Sequence, residues 1–393
     1  MRTSHPRRIL FLISRFLDGG IDTVLVEYLQ HMAGDSHYRL TLAIGCSMGR
    51  LEVYADRVPR NVEVTHLVDA EWLTRWRRQK VEGHLPAGKK LLDEMLLSPI
   101  RRWQQHRKLR RLTAAHDVVI DFDCCFYSLL KDCSTRKIAW FHFSFEQSLQ
   151  QNRRRTMRIG RQLEHYDHVV LISQSMADEA RRLFPRLADR ISVIYNAKDR
   201  NQLLLRARQD EAAIGEVQPF ILAVERLEES QKDITTLIRA YSILRLRHHR
   251  SERLVIIGKG RDEQRLRQLA ADLGMAGDVV FKGFSSNPYP WMLHCRLLAH
   301  SARFEGLPTV LVEGLLLDCL IVATDCPTGP REILADGRAG LLTPVGDAEA
   351  MAEAMHRLLS DEQLRSGVHA AINEQRRRFT FEATAQQLSQ LLS

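Results

Sequence analysis

The sequence alternates short apolar runs with longer segments whose apolar residues recur every three to four positions. Runs such as Arg8–Arg15, Val118–Phe122 and Ile138–His142 have the length of buried strands, and the segments between them have the periodicity of amphipathic helices. Strands and helices that alternate in this way are typical of a parallel sheet covered by helices on both faces. The pattern therefore predicts an α/β fold.

The alternation occurs in two sets, which predicts two domains. The second set starts at Phe220–Val224 and continues to Leu341–Thr343, after a polar stretch at 201–218 without strand character. A length of 393 residues also exceeds that of one ordinary domain. Because open parallel sheets bind ligands at the carboxyl ends of their strands, we expect both sheets to face a shared cleft. The predicted divisions are a domain at 1–197, a domain at 198–378 and a helix within 379–393 that crosses back to the first domain.

The net charge of +9 is concentrated in one segment. Residues 70–112 carry 12 lysines and arginines against 4 acidic residues, and Trp72, Trp76 and Trp103 are interleaved with them. Cations and indoles in this arrangement suit an anionic membrane surface, where they meet lipid phosphates and the headgroup layer. Two other interpretations stay open: a solvated pair of helices and a nucleic-acid-binding surface.

The apolar run at 9–13 follows basic residues, as the core of a signal peptide would. It is too short for that role, and Ser14 and Arg15 follow directly, so a buried first strand is the better interpretation. The other apolar runs fall well below the ~20 residues that span a bilayer. Seven cysteines at irregular positions match neither a disulfide framework nor a zinc site and indicate a reducing compartment. We expect a cytoplasmic protein without an export signal or membrane span.

The segment 301–313 carries two carboxylates, Glu305 and Glu313, around a predicted helix start at Pro308. The free amides at the start of such a helix, those of residues 309–311, favour phosphate. A carboxylate accepts two hydrogen bonds from vicinal hydroxyls, which suits Glu313 to a ribose and Glu305 to a sugar. The spacing alone is more typical of surface acids, so the wider context has to decide.

That context resembles the retaining GT-B glycosyltransferases of family 4. Glu305 and Glu313, separated by seven residues, are preceded by a strand and followed by the sequence Ala323–Glu332. The other matching motifs occur in the family's order over nearly the whole chain: Gly19-Gly20, Phe141-His142, Asn196-Ala197, Arg226 with Lys232, and Gly258-Lys259-Gly260. The resemblance implies the GT-B fold, in which two Rossmann-like parallel-sheet domains face an interdomain cleft.

The resemblance also implies roles for residues at the matching positions. Arg226 and Lys232 match the family's diphosphate-binding pair, while His142 and Glu305 match positions at the reacting sugar, and these four form the expected catalytic set. Gly19 and Gly20 would let the backbone approach the donor phosphate or the acceptor. The remaining donor-binding positions are Gly258, Lys282, Gly283, Phe284, Gly306, Leu307, Thr309, Val310 and Glu313. The family needs no bound cofactor, and we expect no metal.

Four features depart from this pattern or compete with it. Pro308 stands where many relatives have glycine, which removes one backbone N–H, and Ala197 replaces a linker glycine. The sequence from Asp121 to Asp123 resembles the metal-binding Asp-x-Asp of the other large glycosyltransferase fold; we interpret it as structural or acceptor-facing. Gly258-Lys259-Gly260 lacks the third glycine of a dinucleotide fingerprint, since Glu263 occupies that place.

The sequence thus predicts a retaining glycosyltransferase that moves a sugar, most simply from a UDP-sugar, to a lipid-linked, lipopolysaccharide or polysaccharide acceptor. The segment 70–112 would rest on the inner face of the cell membrane. One alternative is a soluble acceptor, and another is a nucleic-acid-binding protein on the same scaffold. We expect no nucleic-acid partner, because residues 198–393, which hold most of the motifs, carry 25 basic against 26 acidic residues.

Overall fold

The computed structural model describes residues 5–17, 19–210, 214 and 219–392. Two predicted features extend outside these residues: the Gly19-Gly20 turn adjoins Asp18, and the polar stretch ends at 215–218. In the part of the chain so described, no helix combines the length and the apolar character that crossing a bilayer requires.

The first half of the chain forms a seven-stranded parallel sheet with the strand order β3-β2-β1-β4-β5-β6-β7. In the register of the central strand, Ile9 pairs with Leu40 on one side and with Val118 on the other. The strands are β1 (Arg7–Ile13), β2 (Tyr38–Ile44), β3 (Glu63–His66), β4 (Val118–Asp121), β5 (Arg136–Phe141), β6 (His168–Leu171) and β7 (Ile191–Val193).

Helices cover this sheet, and the last of them begins and ends at residues that are typical of helix boundaries. The Ser173 side chain caps the last of them by accepting from the Met176 amide at 3.2 Å, and Pro185 follows its end. The helices are α1 (Gly20–Met32), α2 (Glu71–Val81), α3 (Ala87–Leu92), α4 (Ser98–Ala114), α5 (Tyr127–Leu130), α6 (Phe145–Leu163) and α7 (Gln174–Leu183). A π-helical turn, Asp93–Leu97, joins α3 to α4.

The second half forms a six-stranded parallel sheet with the order β10-β9-β8-β11-β12-β13. Its strands are β8 (Phe220–Val224), β9 (Arg253–Ile257), β10 (Val279–Gly283), β11 (Leu297–His300), β12 (Ile321–Thr324) and β13 (Leu341–Thr343). Its helices are α8 (Arg200–Gln209), α9 (Glu229–Lys232), α10 (Ile234–Arg247), α11 (Glu263–Asp272), α12 (Tyr289–His294), α13 (Thr309–Leu316), α14 (Pro330–Ile333), α15 (Ala348–Ser360), α16 (Glu362–Gln375) and α17 (Phe381–Leu392).

The central strands are buried on both faces, as parallel sheets require when helices cover them on each side. All of Ile9–Ile13 and all of Leu297–His300 are buried. The predicted α/β architecture with two parallel sheets is confirmed. In the polar stretch after residue 200, for which no strand was predicted, α8 forms behind Asp199, whose carboxylate accepts from the Asn201 amide at 2.8 Å.

The last helix, α17, packs against α1 of the first half. The Phe381 ring stacks on His31 with a centroid distance of 4.1 Å and meets Tyr28 edge-on at 5.4 Å. At the linker between the sheets, the Lys198 amide donates to the Phe379 carbonyl at 2.9 Å. The chain therefore crosses between the two halves twice, near residues 198 and 379.

The strand order reverses between β1 and β4 in the first sheet and between β8 and β11 in the second. At such a reversal, the loops that leave adjacent strands diverge to opposite faces of the sheet and open a crevice. The predicted Gly19-Gly20 turn follows β1, Arg226 follows β8, and Glu305 follows β11.

Candidate functional site

The two crevices face one another across a narrow gap. A Cβ added to Gly306, in the loop after β11, would lie 2.4 Å from the His142 carbonyl oxygen, in the loop after β5. A Cβ on Gly20, at the start of α1, would lie 3.9 Å from Thr309 Oγ1, at the start of α13. Gly306 thus permits an approach between the halves that any side chain would block, and the starts of α1 and α13 meet in the same gap.

The turn before α1 is fixed by a buried carboxylate. Asp22 accepts hydrogen bonds from the amides of Leu17, at 3.0 Å, and Gly19, at 2.9 Å. A Cβ on Gly19 would lie 2.9 Å from Asp22 Oδ2, so the turn leaves little room for a side chain. Burial raises the pKa of Asp22 to about 6. The backbone of the turn is therefore held by Asp22 close to α13.

His142 lies just after β5, one residue beyond the observed end of the predicted strand. Its side chain is buried, and burial lowers its pKa to about 3, so the imidazole is neutral at physiological pH. Its Nε2 has no hydrogen-bond partner within the described residues. A neutral ring nitrogen left unpaired in this way can bond a ligand hydroxyl.

Glu305 and Lys232 form a buried ion pair in the second half of the gap. Lys232 Nζ lies 2.5 Å from Glu305 Oε1, and each side chain is about one-tenth exposed. Burial alone would raise the pKa of Glu305, but Lys232 and then His300 outweigh it and hold the pKa at about 2. Lys232 is the last residue of the short helix α9.

Arg226 is exposed directly after β8, and its guanidinium has no ion pair within the described residues. Two glycines allow the neighbouring loop to pack against this segment. Gly258 has φ +149°, and its Cβ would lie 1.8 Å from the Glu225 carbonyl oxygen; that of Gly260 would lie 2.3 Å from the Leu227 carbonyl oxygen. These glycines are thus required by backbone contact with the segment that carries Arg226.

The loop after β10 supplies an exposed aromatic ring. Phe284 is 42% exposed, and Lys259 Nζ lies 5.0 Å from its ring centroid. Lys282 Nζ lies 5.0 Å from the ring centroid of Trp291. Gly283 has φ +75° and accepts from the Gly258 amide at 2.8 Å, so the predicted donor positions 258 and 282–284 come together.

The helix α13 begins at Thr309, one residue later than predicted, because Pro308 has extended backbone angles and serves as the N-cap. The Leu311 amide, predicted to be free, donates to the Pro308 carbonyl at 3.0 Å. The amides of Thr309 and Val310 have no such acceptor within the described residues. Leu307 is buried beneath them, so two amides at this helix start remain for a ligand.

Glu313 lies one turn further along α13, and it contacts residues that the sequence analysis missed. Glu313 Oε1 lies 2.7 Å from Lys198 Nζ and accepts from the Tyr289 hydroxyl at 3.2 Å. Lys198 is completely buried and also lies 2.9 Å from Glu27 of α1. Burial would lower the pKa of Lys198, but the two carboxylates outweigh it and raise the pKa. This triad joins both halves of the molecule directly beneath the gap.

His300 and Glu225 were also missed. His300 ends β11 and is 1% exposed; its Nδ1 lies 2.9 Å from Glu225 Oε1, and its Nε2 lies 3.5 Å from Glu305 Oε1. The signal that drew attention to His142, a polar residue at the carboxyl end of an apolar strand, is present at His300 as well. Sequence reasoning applied it to only one of the two histidines.

The carboxylates of Asp121 and Asp123 accept hydrogen bonds from nearby backbone amides and from a tyrosine hydroxyl. Asp121 accepts from the Phe126 amide at 2.9 Å and from the Tyr166 hydroxyl at 2.5 Å, and Asp123 accepts from the Ser14 amide at 2.8 Å. Among the residues described, no group of three or more potential ligands is arranged to hold a metal ion.

A second surface of interest lies on α3, the π-turn and α4, within the basic segment 70–112. Its buried face includes a charged pair: Arg101 and Asp93 form a buried ion pair with an Nη1–Oδ1 distance of 2.7 Å. Its solvent face is apolar, and six large side chains there are 40–65% exposed. We call these the outward stripe: Leu91, Leu92, Met95, Leu96, Ile100 and Trp103. The helix thus presents to solvent the face that a helix usually buries.

Comparisons with known proteins match both halves. The model described as glycosyltransferase family 4 matches residues 19–202, and the model described as glycosyl transferases group 1 matches residues 206–378.

Curated relatives match over shorter segments. A Campylobacter jejuni N-acetylgalactosamine-N,N′-diacetylbacillosaminyl-diphospho-undecaprenol 4-alpha-N-acetylgalactosaminyltransferase is 35% identical over 44% of this chain and 45% of that protein. A Mycolicibacterium smegmatis phosphatidyl-myo-inositol mannosyltransferase is 34% identical over 43% of each. The match therefore spans less than half of the length of these relatives.

Solved structures match over nearly the whole chain. Anabaena HepE in complex with UDP aligns with a TM-score of 0.75 and 19% identity over 98% of this chain and 99% of that chain. The apo lipopolysaccharide outer core galactosyltransferase WaaB aligns with a TM-score of 0.67 and 18% identity over the same shares. These likenesses confirm the predicted GT-B fold, with its two Rossmann-like domains.

Proposed function

The chain belongs to the group 1 / family 4 glycosyltransferases, and we propose that it transfers a sugar from a nucleotide-sugar to a hydroxyl of a membrane-associated acceptor. The observation that carries the proposal is the Lys232–Glu305 pair, which lies at the strand-order reversal of the second sheet and opens onto the gap. A cation and a carboxylate at this place suit, respectively, the diphosphate and the sugar of one donor.

We propose that Arg226 and Lys232 bind the donor diphosphate together with the Thr309 and Val310 amides. The barrier to transfer is lowered most by positive groups aimed at the leaving diphosphate, because negative charge grows there. Among the described residues, the exposed guanidinium of Arg226 has no ion pair and the Thr309 and Val310 amides have no backbone acceptor, which supports this role. Gly19 and Gly20 would bring the backbone of the α1 turn to the same phosphates or to the acceptor.

The donor sugar would lie between His142 and Glu305. His142 is neutral, its Nε2 has no partner in the part of the chain that the structure describes, and Glu305 remains a carboxylate, so both can accept hydrogen bonds from sugar hydroxyls. Gly306 and Leu307 would line the same pocket. The nucleoside would extend from Glu313, which binds the ribose, toward Gly258 and the exposed ring of Phe284, with Lys282 and Gly283 beside it.

We propose retention of the anomeric configuration. The acceptor hydroxyl would attack the anomeric carbon on the face that the diphosphate leaves: the bond from that carbon to the diphosphate oxygen breaks, and the bond to the acceptor oxygen forms. The hydroxyl proton passes to the leaving diphosphate, so the step is balanced without a protein base. Nuclear magnetic resonance of the product gives the anomeric configuration directly.

A thermal-shift and calorimetric screen tests the donor. UDP and UDP-sugars should raise the melting temperature more than GDP, ADP and their sugars, since a ligand that binds the folded state stabilises it by mass action. Support for UDP comes from the fold relative in complex with UDP. Glu313→Ala should weaken UDP binding, and Glu374→Ala, an exposed carboxylate of α16, is the control. No stabilisation by any nucleoside diphosphate would contradict the proposed function.

We further propose that the basic segment holds the chain at the inner face of the cell membrane, beside a lipid-linked or lipopolysaccharide acceptor. The outward stripe supplies apolar side chains for the lipid layer, and arginines such as Arg102, Arg107 and Arg110 flank it, in keeping with anionic headgroups. Names of relatives that act on an undecaprenol diphosphate and a phosphatidyl-inositol support a lipid acceptor.

Liposome sedimentation at physiological salt tests the membrane contact. The protein should bind anionic vesicles more than neutral ones, and a Leu96→Ser, Trp103→Ser double variant should lose binding. A Leu205→Ser, Leu246→Ser double variant is the control, because these exposed leucines lie on α8 and α10 of the second domain. Equal and negligible binding to both vesicles would favour a soluble acceptor, and salt-dependent binding of RNA or DNA without sugar transfer would favour the nucleic-acid alternative.

A further inference from the structure

A buried imidazole lies directly behind the carboxylate that faces the donor. His300 approaches Glu225 with one ring nitrogen, at 2.9 Å, and Glu305 with the other, at 3.5 Å. Glu225 belongs to the loop after β8, and its side chain is completely buried. The three groups and Lys232 therefore form a row in which negative and positive charges alternate from the domain interior to the gap.

The charged groups that face His300 come from three elements: Glu225 after β8, Glu305 before α13, and Lys232 at the end of α9. Burial lowers the pKa of His300, but Glu225 and then Glu305 outweigh burial and Lys232 and raise the pKa to about 9. The imidazole is therefore positive at neutral pH, and Glu305 is compensated by two cations, Lys232 and His300.

One of these cations has a second task under the proposed function. Lys232 is bonded to Glu305, yet under the proposed function it must also reach the donor diphosphate. If Lys232 were the sole cation beside Glu305, its movement would leave a buried carboxylate without a counter-charge, which is strongly unfavourable and would oppose donor binding. His300 prevents this, since it stays beside Glu305 whichever partner Lys232 takes.

We propose that His300, held by Glu225, is a positioning residue that keeps Glu305 compensated while Lys232 moves from Glu305 to the donor diphosphate. The inference rests on the proposed function, because it requires the donor to bind at Lys232. It adds a pair of residues that touch neither the sugar nor the phosphate.

The test is the pH dependence of UDP affinity, measured by calorimetry from pH 7 to pH 10 on the wild type, His300→Gln and Glu225→Gln. The wild type should lose affinity as pH passes about 9, where His300 loses its proton. His300→Gln should bind UDP roughly ten-fold more weakly at pH 7, the scale expected when a buried charge loses a partner. The pH profile of His300→Gln still contains the ionisation of the nucleotide itself, so it is the baseline against which the wild-type profile is compared.

Glu225→Gln is the sharper variant, because it leaves His300 in place and removes the group that most raises its pKa. The fall in affinity should shift to lower pH. Glu252→Gln, which removes a buried carboxylate paired with Arg250 away from the gap, should leave the profile unchanged. A merely structural pair would lower the melting temperature of Glu225→Gln without moving the pH profile.

Two results would overturn the inference while the proposed function stands. One is a wild-type profile that superimposes on that of His300→Gln, and the other is a Glu225→Gln profile that does not shift. If His300→Gln does not fold, imidazole ¹⁵N resonances of wild type and Glu225→Gln give the pKa of His300 directly, and equal values would likewise overturn it. A wild type that binds no nucleoside diphosphate would overturn both.

Discussion

Glu332 of α14 bonds the start of α7 in the opposite domain: the Gln174 amide donates to Glu332 Oε1 at 2.8 Å. The Ser175 amide donates to the other oxygen at 3.3 Å, and the Tyr195 hydroxyl donates to Oε1 at 2.5 Å. A carboxylate at a helix start pairs unbonded amides and favours the positive end of the helix dipole. Here the helix and the carboxylate belong to different domains, so the contact links the two domains across the gap.

Glu332→Gln should therefore open the gap. The amide side chain keeps the shape but loses the negative charge at the start of α7, a change of about 1 kcal/mol at a helix terminus. Small-angle X-ray scattering should show a larger radius of gyration than in the wild type. Glu374→Gln on α16 is the control. An unchanged scattering curve would mean that Glu332 does not set the domain arrangement.

Gly306→Ala should reduce sugar transfer by at least ten-fold. The new Cβ would lie 2.4 Å from the His142 carbonyl oxygen, so the two domains could not approach as closely, and small displacements at a reacting centre are costly. The comparison is with Gly277→Ala, where a Cβ would meet nothing within 4 Å. Steady-state kinetics on both variants checks this, and equal activity in the two would contradict the role of Gly306.

Arg226→Gln should separate activity from stability. The side chain is exposed without an ion pair in the described part of the chain, so the free energy of unfolding should change by less than about 0.5 kcal/mol. Turnover should fall roughly 100-fold if the guanidinium stabilises charge on the leaving diphosphate. Arg338→Gln, remote on the second domain, is the control. Normal turnover in Arg226→Gln would reject the leaving-group role.

Lys198→Met should destabilise the fold by about 3–5 kcal/mol, since it leaves two buried carboxylates, Glu27 and Glu313, without their shared cation. Urea unfolding measures the loss. Adding Glu27→Gln to Lys198→Met should restore part of it, because one buried charge is removed. A single variant as stable as the wild type would show that the triad does not hold the domains.

Asp22→Asn should change the pH dependence of stability. The pKa of Asp22 is about 6 in the folded state against 3.8 for the free group, so the folded state binds this proton more tightly. The corresponding stability is fully present below pH 3.8 and is lost as pH rises through 6. Relative to Asp22→Asn, the wild type should lose about 2 kcal/mol over this window in urea titrations. Parallel curves for the two proteins would contradict it.

The elements of the fold could be read from the sequence because central strands of a parallel sheet are apolar on both faces. Phe220–Val224 and Leu341–Thr343 begin and end at the predicted residues. The end of β5 and the start of α13 differ from the prediction by one residue, since the backbone of a residue at the boundary of a strand or helix can lie inside or outside the element at little cost.

The site was less accessible to sequence reasoning, because its unexpected members act through partners distant in the chain. Lys198 stands next to the linker motif, but only the fold brings Glu27 and Glu313 to it. Glu225 and His300 are likewise joined by the neighbouring positions of β8 and β11. The outward stripe has the spacing of a core-facing helix, and only the burial of Arg101 against Asp93 reveals which face points inward.

The completely buried ammonium of Lys198 has a mechanical consequence. Lys198 lies on the linker between the two domains, and its ammonium is bonded to a carboxylate of each domain. A sliding motion would have to pull this charge away from its two anions, whereas a rotation about it would not. Opening and closing should thus be a hinge rotation centred on Lys198, with the largest displacements at the residues farthest from it.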